Sequence, residues 1–216
     1  PVNGFQFLSE AYNATDPDFD GRVTVPVLWD KRTKRIVSNS DDHLLRMLNS
    51  EFSDFASNDY DFYPPDLRQE IEATNKVVYE RVNNGVYRAG FATRQRPYEF
   101  ATRQLFETLD ELDARLAGRR NLLGERMTEA DWRLFPTLIR FDAVYCGHFK
   151  CNLRRIVDYG NLWPYLRDLY QHDGVAETVD FEHIKRHYYM THEQINPTRI
   201  VPIGPQLDLN APHGRG

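Results

Sequence analysis

The chain has 216 residues and a formal net charge of −5, from 27 Lys and Arg residues against 32 Asp and Glu residues. This mild acidity gives no reason to expect nucleic acid or an anionic membrane as a partner. No apolar run has the length that a bilayer-spanning helix needs, and no signal peptide is visible. Two cysteines, Cys146 and Cys151, are too few for a secreted disulfide framework. We therefore expect a reducing compartment, the cytoplasm.

The first fifty residues predict half of a small α/β unit. Residues 5–14 have helical spacing, and residues 23–29 form a β-branched, mostly apolar run typical of a buried strand. A second short strand is predicted at residues 36–37, and a helix is predicted to start near Ser40. Because two strands rarely form a core alone, we expect further structure upstream.

The remainder of the chain predicts a helical domain. Residues 58–65 are polar, aromatic and Pro-containing, as in a linker, so the expected domains are residues 1–57 and 58–216. Thr128 and Asp131 have the spacing of a helix-start cap, which we assign to folding. The tail from Asn196 has no periodicity. The predicted helices cover residues 67–86, 105–116, 128–147, 162–170 and 181–189.

Two local features allow a functional and an ordinary interpretation. A cis bond before Pro26 would turn the N–H and C=O of Val25 toward an extended peptide ligand, yet only about 5% of X–Pro bonds in folded proteins are cis. The ordinary alternative is a trans proline at a strand edge. The helix start at Ser40 and Asp41 can bind a carboxylate through free amides, or it can simply be a cap.

Histidines near the end of the chain raise the question of a metal. His183 and His187 stand four residues apart, with Glu182 and His192 nearby, and this spacing can hold zinc. The full motif of two histidines and a catalytic glutamate is absent. We therefore predict no metal.

Several longer strings resemble one known family. They are residues 21–30 (GRVTVPVLWD), 82–91 (VNNGVYRAGF), 140–142 (RFD), 148–151 (HFKC), 195–197 (INP), 202–205 (PIGP) and 212–215 (PHGR). Together they resemble the glutathionyl-hydroquinone reductases, which are the xi class of glutathione transferases and are similar to the omega class. The resemblance implies a partial thioredoxin-like N-terminal domain followed by an all-α glutathione-transferase domain. It also implies a homodimer, glutathione as co-substrate, an aromatic quinol substrate and no metal.

The same resemblance implies a glutathione site in the first domain. Pro26 is expected to be cis, with the backbone of Val25 pairing with the cysteinyl part of glutathione. Arg22 is expected to take part as well. Ser40 and Asp41 stand where the family has Glu-Ser, so they are expected to bind the γ-glutamyl end through helix amides, with altered side-chain roles.

Tyr87 and Tyr188 match tyrosines that line the quinol pocket of that family. Phenols suit the task because they stack on an aromatic ring and hydrogen-bond to its oxygens. Core packing is the alternative for these two tyrosines, as for most of the twelve in the chain.

The resemblance also implies a nucleophile that these 216 residues do not contain. The family cysteine lies in a Cys-Pro-Trp-Ala type motif upstream of everything here, where a helix start lowers the thiol pKa. Cys146 and Cys151 are expected to be structural. The implied reaction is thiol–disulfide exchange, and this chain alone is expected to be inactive. The alternatives are a glutathione-binding or interaction module without chemistry, and a gene fragment whose N-terminal part exists elsewhere.

Overall fold

The computed structural model describes residues 3–215, and its contacts separate into two compact units, Pro1–Tyr63 and Pro64–Gly216. The first unit thus extends beyond the expected boundary at residue 57. Its last residues are held by Asn49, whose side-chain amide donates to Asp61 (2.8 Å) and accepts the N–H of Phe62 (2.8 Å). Within the described residues, no helix has the length and apolar character needed to cross a membrane.

The first unit contains two helices and a two-stranded antiparallel sheet. Its elements are α1 (Leu8–Thr15), β1 (Leu28–Asp30), β2 (Arg35–Ser38), α2 (Asp41–Ser50) and a 3₁₀ turn (Ser53–Phe55). The strands pair in the register Trp29 opposite Ile36 and Asp30 opposite Arg35. The predicted order of helix, strand, strand and helix is confirmed.

The predicted strand at residues 23–29 is wrong in extent. Its pairing begins only at Leu28, so Val25 and Pro26 precede the ladder. Pro26 has no N–H to donate. The backbone of Thr24 bonds instead to the hydroxyl of Tyr12, which removes it from strand pairing. The Val25–Pro26 peptide bond is cis, as predicted.

The second unit is helical. Its helices are α3 (Arg68–Val77), α4 (Asn84–Gly90), α5 (Gln95–Leu116), α6 (Glu129–Arg140), α7 (Leu162–Tyr170) and α8 (Phe181–Thr191). A π-helical turn joins α3 to α4 at Val78–Asn83, and another comes directly after α6 at Phe141–Tyr145. The single helices predicted at residues 67–86 and 128–147 are therefore interrupted. The spacing of apolar residues along the sequence does not show a π turn, because the buried face of the helix continues through that turn.

A buried carboxylate organises the start of α6. Asp131 accepts the N–H of Thr128 (2.8 Å), the N–H of Leu122 (2.9 Å) and the hydroxyl of Tyr165 (2.7 Å). Burial raises the pKa of Asp131, against the opposing effect of these hydrogen bonds. The prediction that Thr128 and Asp131 form a folding motif is confirmed.

One glycine of α4 sets how closely an aromatic ring can approach. A Cβ at Gly90 would overlap ring atoms of Phe149, which is fully buried. Gly118 lies beyond α5, and a Cβ built there meets nothing within 4 Å. Gly118 is therefore a suitable control for Gly90, because an added methyl group has no space at Gly90 and free space at Gly118.

Gly90→Ala should destabilise the protein although alanine favours a helix. We expect a loss of about 2 kcal/mol, because forcing a methyl group into a packed core displaces the ring of Phe149. Gly118→Ala should change the free energy of unfolding by no more than about 0.5 kcal/mol. Urea denaturation of both variants measures the difference. Equal midpoints for the two would show that the ring of Phe149 yields freely.

Candidate functional site

Three tyrosine hydroxyls meet inside the helical unit. The hydroxyl of Tyr188 in α8 lies 2.5 Å from that of Tyr87 in α4 and 2.9 Å from that of Tyr145 in the π turn after α6. The structure thus brings together the two tyrosines that the sequence singles out, although 101 positions separate them. Tyr145 is a third member that the sequence reasoning missed. We call these three residues the tyrosine cluster.

Each tyrosine of the cluster is followed four residues later by another aromatic side chain. Phe91 follows Tyr87, Phe149 follows Tyr145, and His192 follows Tyr188. Tyr87 with Phe91 and Tyr188 with His192 each span the last turn and C-cap of a helix, so those two pairs share a helix face, whereas Phe149 lies in the turn that follows Tyr145. The three pairs form a continuous layer of aromatic rings.

Phe149 is the centre of that layer. Its ring centroid lies 5.4 Å from Tyr87, 5.5 Å from Tyr145 and 5.9 Å from Tyr188. Phe149 is fully buried, whereas Tyr87 is 38% exposed. The layer therefore has a buried floor and an accessible end at Tyr87, as a site for a flat aromatic ligand requires.

Two phenols of the cluster, Tyr145 and Tyr188, hold their protons more tightly than an ordinary tyrosine. Burial raises the pKa of Tyr145, with Tyr188 and Tyr87 as the next causes. Burial also raises the pKa of Tyr188, against the opposing effect of its hydrogen bond with Tyr145. Three hydroxyls carry three protons, and the two bonds between them use two. One O–H is left to donate elsewhere. In each pair either hydroxyl can be the donor, and Tyr87 is the exposed member of the cluster.

A histidine pair borders the aromatic layer. Nε2 of His148 lies 3.2 Å from Nδ1 of His192, and the His192 ring stacks on Phe149 with centroids 5.8 Å apart. Burial, then the charges of His192 and Lys150, lower the pKa of His148 to about 4. His148 is therefore neutral at pH 7, and burial also lowers the pKa of His192. Among residues 3–215, no group of three or more His, Cys, Asp or Glu side chains is arranged to hold a metal ion.

Both cysteines are free thiols of the helical unit. Cys151 is fully buried, and burial raises its pKa to about 12. Burial also raises the pKa of Cys146, with Asp142 as the next cause. A nucleophilic cysteine needs the opposite, a pKa lowered by a helix start or a cation. These environments agree with the structural role that the sequence predicts.

The residues expected to hold glutathione lie in the first unit. Arg22 and Asp41 are exposed, and Val25 is 76% exposed. Ser40 caps α2 by accepting the N–H of His43 (3.4 Å). The capping interpretation of Ser40 is thus confirmed, while glutathione binding by this segment stays a prediction.

Known proteins share this architecture. Residues 76–168 match the domain family described as glutathione S-transferase, C-terminal domain. The glutathione-bound structure of YqjG, a glutathione transferase homolog from Escherichia coli K-12, superposes with a TM-score of 0.97 at 50% identity, covering 99% of this chain and 70% of that one. The chain belongs to the glutathione transferase family. The predicted fold class, a thioredoxin-like part followed by a helical glutathione-transferase domain, is confirmed.

Two named relatives refine the comparison. The glutathionyl-hydroquinone reductase PcpF of Sphingobium chlorophenolicum is 54% identical over 208 residues, which are 96% of this chain and 66% of that protein. The glutathionyl-hydroquinone reductase YqjG of Escherichia coli is 51% identical over 210 residues, which are 97% of this chain and 64% of that protein. The chain spans about two thirds of the length of these glutathione transferase relatives.

Proposed function

We propose that this chain supplies the quinol pocket and part of the glutathione site of a glutathionyl-hydroquinone reductase of the xi class. The observation that carries the proposal is the tyrosine cluster, which offers a hydroxyl donor at the edge of an aromatic layer. The names of two relatives more than 50% identical to the chain support the same activity. The protein is further proposed to act as a homodimer in the cytoplasm, where its thiols stay reduced.

In the proposed reaction, a cysteine upstream of this chain acts as the nucleophile. Its thiolate attacks the sulfur of the glutathionyl group, so a disulfide forms and the bond from that sulfur to the quinol ring carbon breaks. The electron pair of the broken bond stays on the ring carbon, which takes up a proton. Hydroquinone leaves. A second glutathione thiolate then attacks the mixed disulfide, releasing glutathione disulfide and the cysteine thiolate.

The residues of this chain bind and supply protons. Tyr87 and Tyr188 orient the quinol through its oxygens, and their hydroxyls protonate the ring carbon. Tyr145 holds Tyr188 in place by the hydrogen bond between their hydroxyls. Glutathione is held in the first unit by the proposed set Arg22, Val25, Pro26, Ser40 and Asp41.

The proposal is tested on the longer protein that includes the upstream cysteine. Incubated with a glutathionylated hydroquinone and glutathione, it should release hydroquinone and glutathione disulfide in equal amounts. A non-catalytic glutathione-binding module is the alternative, and the raised pKa values of Cys146 and Cys151 favour it over any reaction through these two thiols. Glutathione binding without product formation would establish that alternative.

A further inference from the structure

A buried phenol lies at the centre of the first unit. Tyr12 in α1 is 4% exposed, and its ring packs against Phe19 with centroids 4.7 Å apart. Its hydroxyl donates to the carbonyl of Thr24 (2.8 Å) and accepts the N–H of Thr24 (3.3 Å) and the side-chain amide of Asn39 (3.1 Å). The Oγ1 of Thr24 is also 3.4 Å away. One donor and two acceptor positions are thus all in use, which is the full capacity of a phenol.

The two partners of this hydroxyl stand next to the residues assigned to glutathione. Thr24 directly precedes Val25, whose backbone is proposed to pair with the cysteinyl part. Asn39 directly precedes Ser40, which caps the helix start proposed for the γ-glutamyl end. Tyr12 is too buried to touch a ligand in solution. It joins the two segments through a single oxygen atom.

We infer that Tyr12 is a positioning residue of the glutathione site, an inference that rests on the proposed function. The hydroxyl fixes the Thr24 backbone and the Asn39 side chain relative to each other, so both ends of the tripeptide find their binding groups already in place. Without it the two segments order only when glutathione binds. Ordering the two segments on binding lowers the affinity for glutathione, because the entropy that they lose is subtracted from the binding free energy.

Loss of this hydroxyl leaves the rest of the unit anchored. Thr15 also joins α1 to β2, because its Oγ1 accepts the N–H of Ile36 (2.8 Å) and its carbonyl accepts from the guanidinium of Arg35 (2.9 Å). Tyr12→Phe keeps the ring and its contact with Phe19. The variant is therefore suited to isolate the hydroxyl.

In the longer protein, Tyr12→Phe should raise the KM and the Kd for glutathione about tenfold and change kcat at saturating glutathione by less than about twofold. Asn39→Ala removes the hydrogen bond between the exposed Asn39 side chain and the Tyr12 hydroxyl. It should raise the KM and the Kd for glutathione about threefold. Steady-state kinetics give KM and kcat, and calorimetry gives Kd without any need for turnover.

Thr15→Val is the matched control. It removes a hydroxyl that also joins α1 to the sheet, but from a residue whose hydrogen bonds are with Ala11, Arg35 and Ile36. Its glutathione constants should equal those of the unchanged protein. An unchanged Kd in Tyr12→Phe, or an equal rise in Thr15→Val, would overturn the inference. A raised Kd with no turnover even in the unchanged protein would support Tyr12 and overturn the proposed reaction. Absence of glutathione binding by the unchanged protein would overturn both.

Discussion

The 216-residue chain by itself should release no hydroquinone from a glutathionylated quinol, whereas the longer protein with the upstream cysteine should do so. The reaction needs a thiolate, and at pH 7 a thiol with the pKa of Cys151, about 12, is ionised in only about one molecule in 10⁵. The pKa of Cys146 is raised as well. We expect the turnover rates to differ on the order of 10³-fold or more, because positioning alone recovers little of a covalent route.

Substitutions of the two cysteines complete this test. In the longer protein, Cys146→Ala and Cys151→Ala should each retain turnover, although Cys151→Ala should lower stability because that side chain is fully buried. Replacing the upstream cysteine by serine should abolish turnover. Activity of the short chain that disappears in Cys146→Ala or Cys151→Ala would identify a different nucleophile and refute the proposed mechanism.

The second large effect is expected at the centre of the tyrosine cluster. Tyr188→Phe removes both hydrogen bonds of the cluster and leaves the hydroxyls of Tyr87 and Tyr145 without their shared partner. In the longer protein, kcat for a glutathionylated quinol should fall about 10²-fold, as expected for loss of a proton donor and its orientation. The Kd for glutathione should change by less than about twofold, because its proposed site lies in the first unit.

The neighbouring tyrosine provides the control for this experiment. The hydroxyl of Tyr189 donates to the carbonyl of Ala143 (3.3 Å) and takes no part in the cluster. Tyr189→Phe should therefore leave kcat nearly unchanged. Equal losses in the two variants would mean that α8 responds to any lost hydroxyl and that the cluster has no special role in turnover.

Residue types at fixed spacings predict which helices and strands this fold contains better than they predict where each one ends or is interrupted. The cap at Thr128 and Asp131 and the two-stranded unit could be predicted from residue types at fixed spacings. The strand at residues 23–29 failed because β-branched composition does not show where a partner strand ends. The π turn at Val78–Asn83 was not predicted, because Val78, Val82 and Val86 follow one another at four-residue spacing, which a regular helix also shows.

The candidate site was predicted in part for a similar reason. Tyr87 and Tyr188 were selected by resemblance, and only the fold shows that their hydroxyls meet. Tyr145 was missed because a buried tyrosine in a helical pattern is usually ordinary core. One signal was present in the sequence: four tyrosines, at 87, 145, 159 and 188, are each followed four positions later by an aromatic ring, and three of the four form the cluster. Twelve tyrosines made this repeat easy to overlook.

The π turn Phe141–Tyr145 gives this segment one more residue than a regular helix would use. Tyr145 lies at the end of that turn. Five residues of a π turn cover about the same rotation as four residues of an α-helix, so a chain shorter by one residue here would continue as regular helix with its later residues facing the same way. The position that the wide turn adds is therefore separable from the packing of α6. A variant that lost Tyr145 itself would keep the helical path and lose one of the hydroxyls that meet at Tyr188.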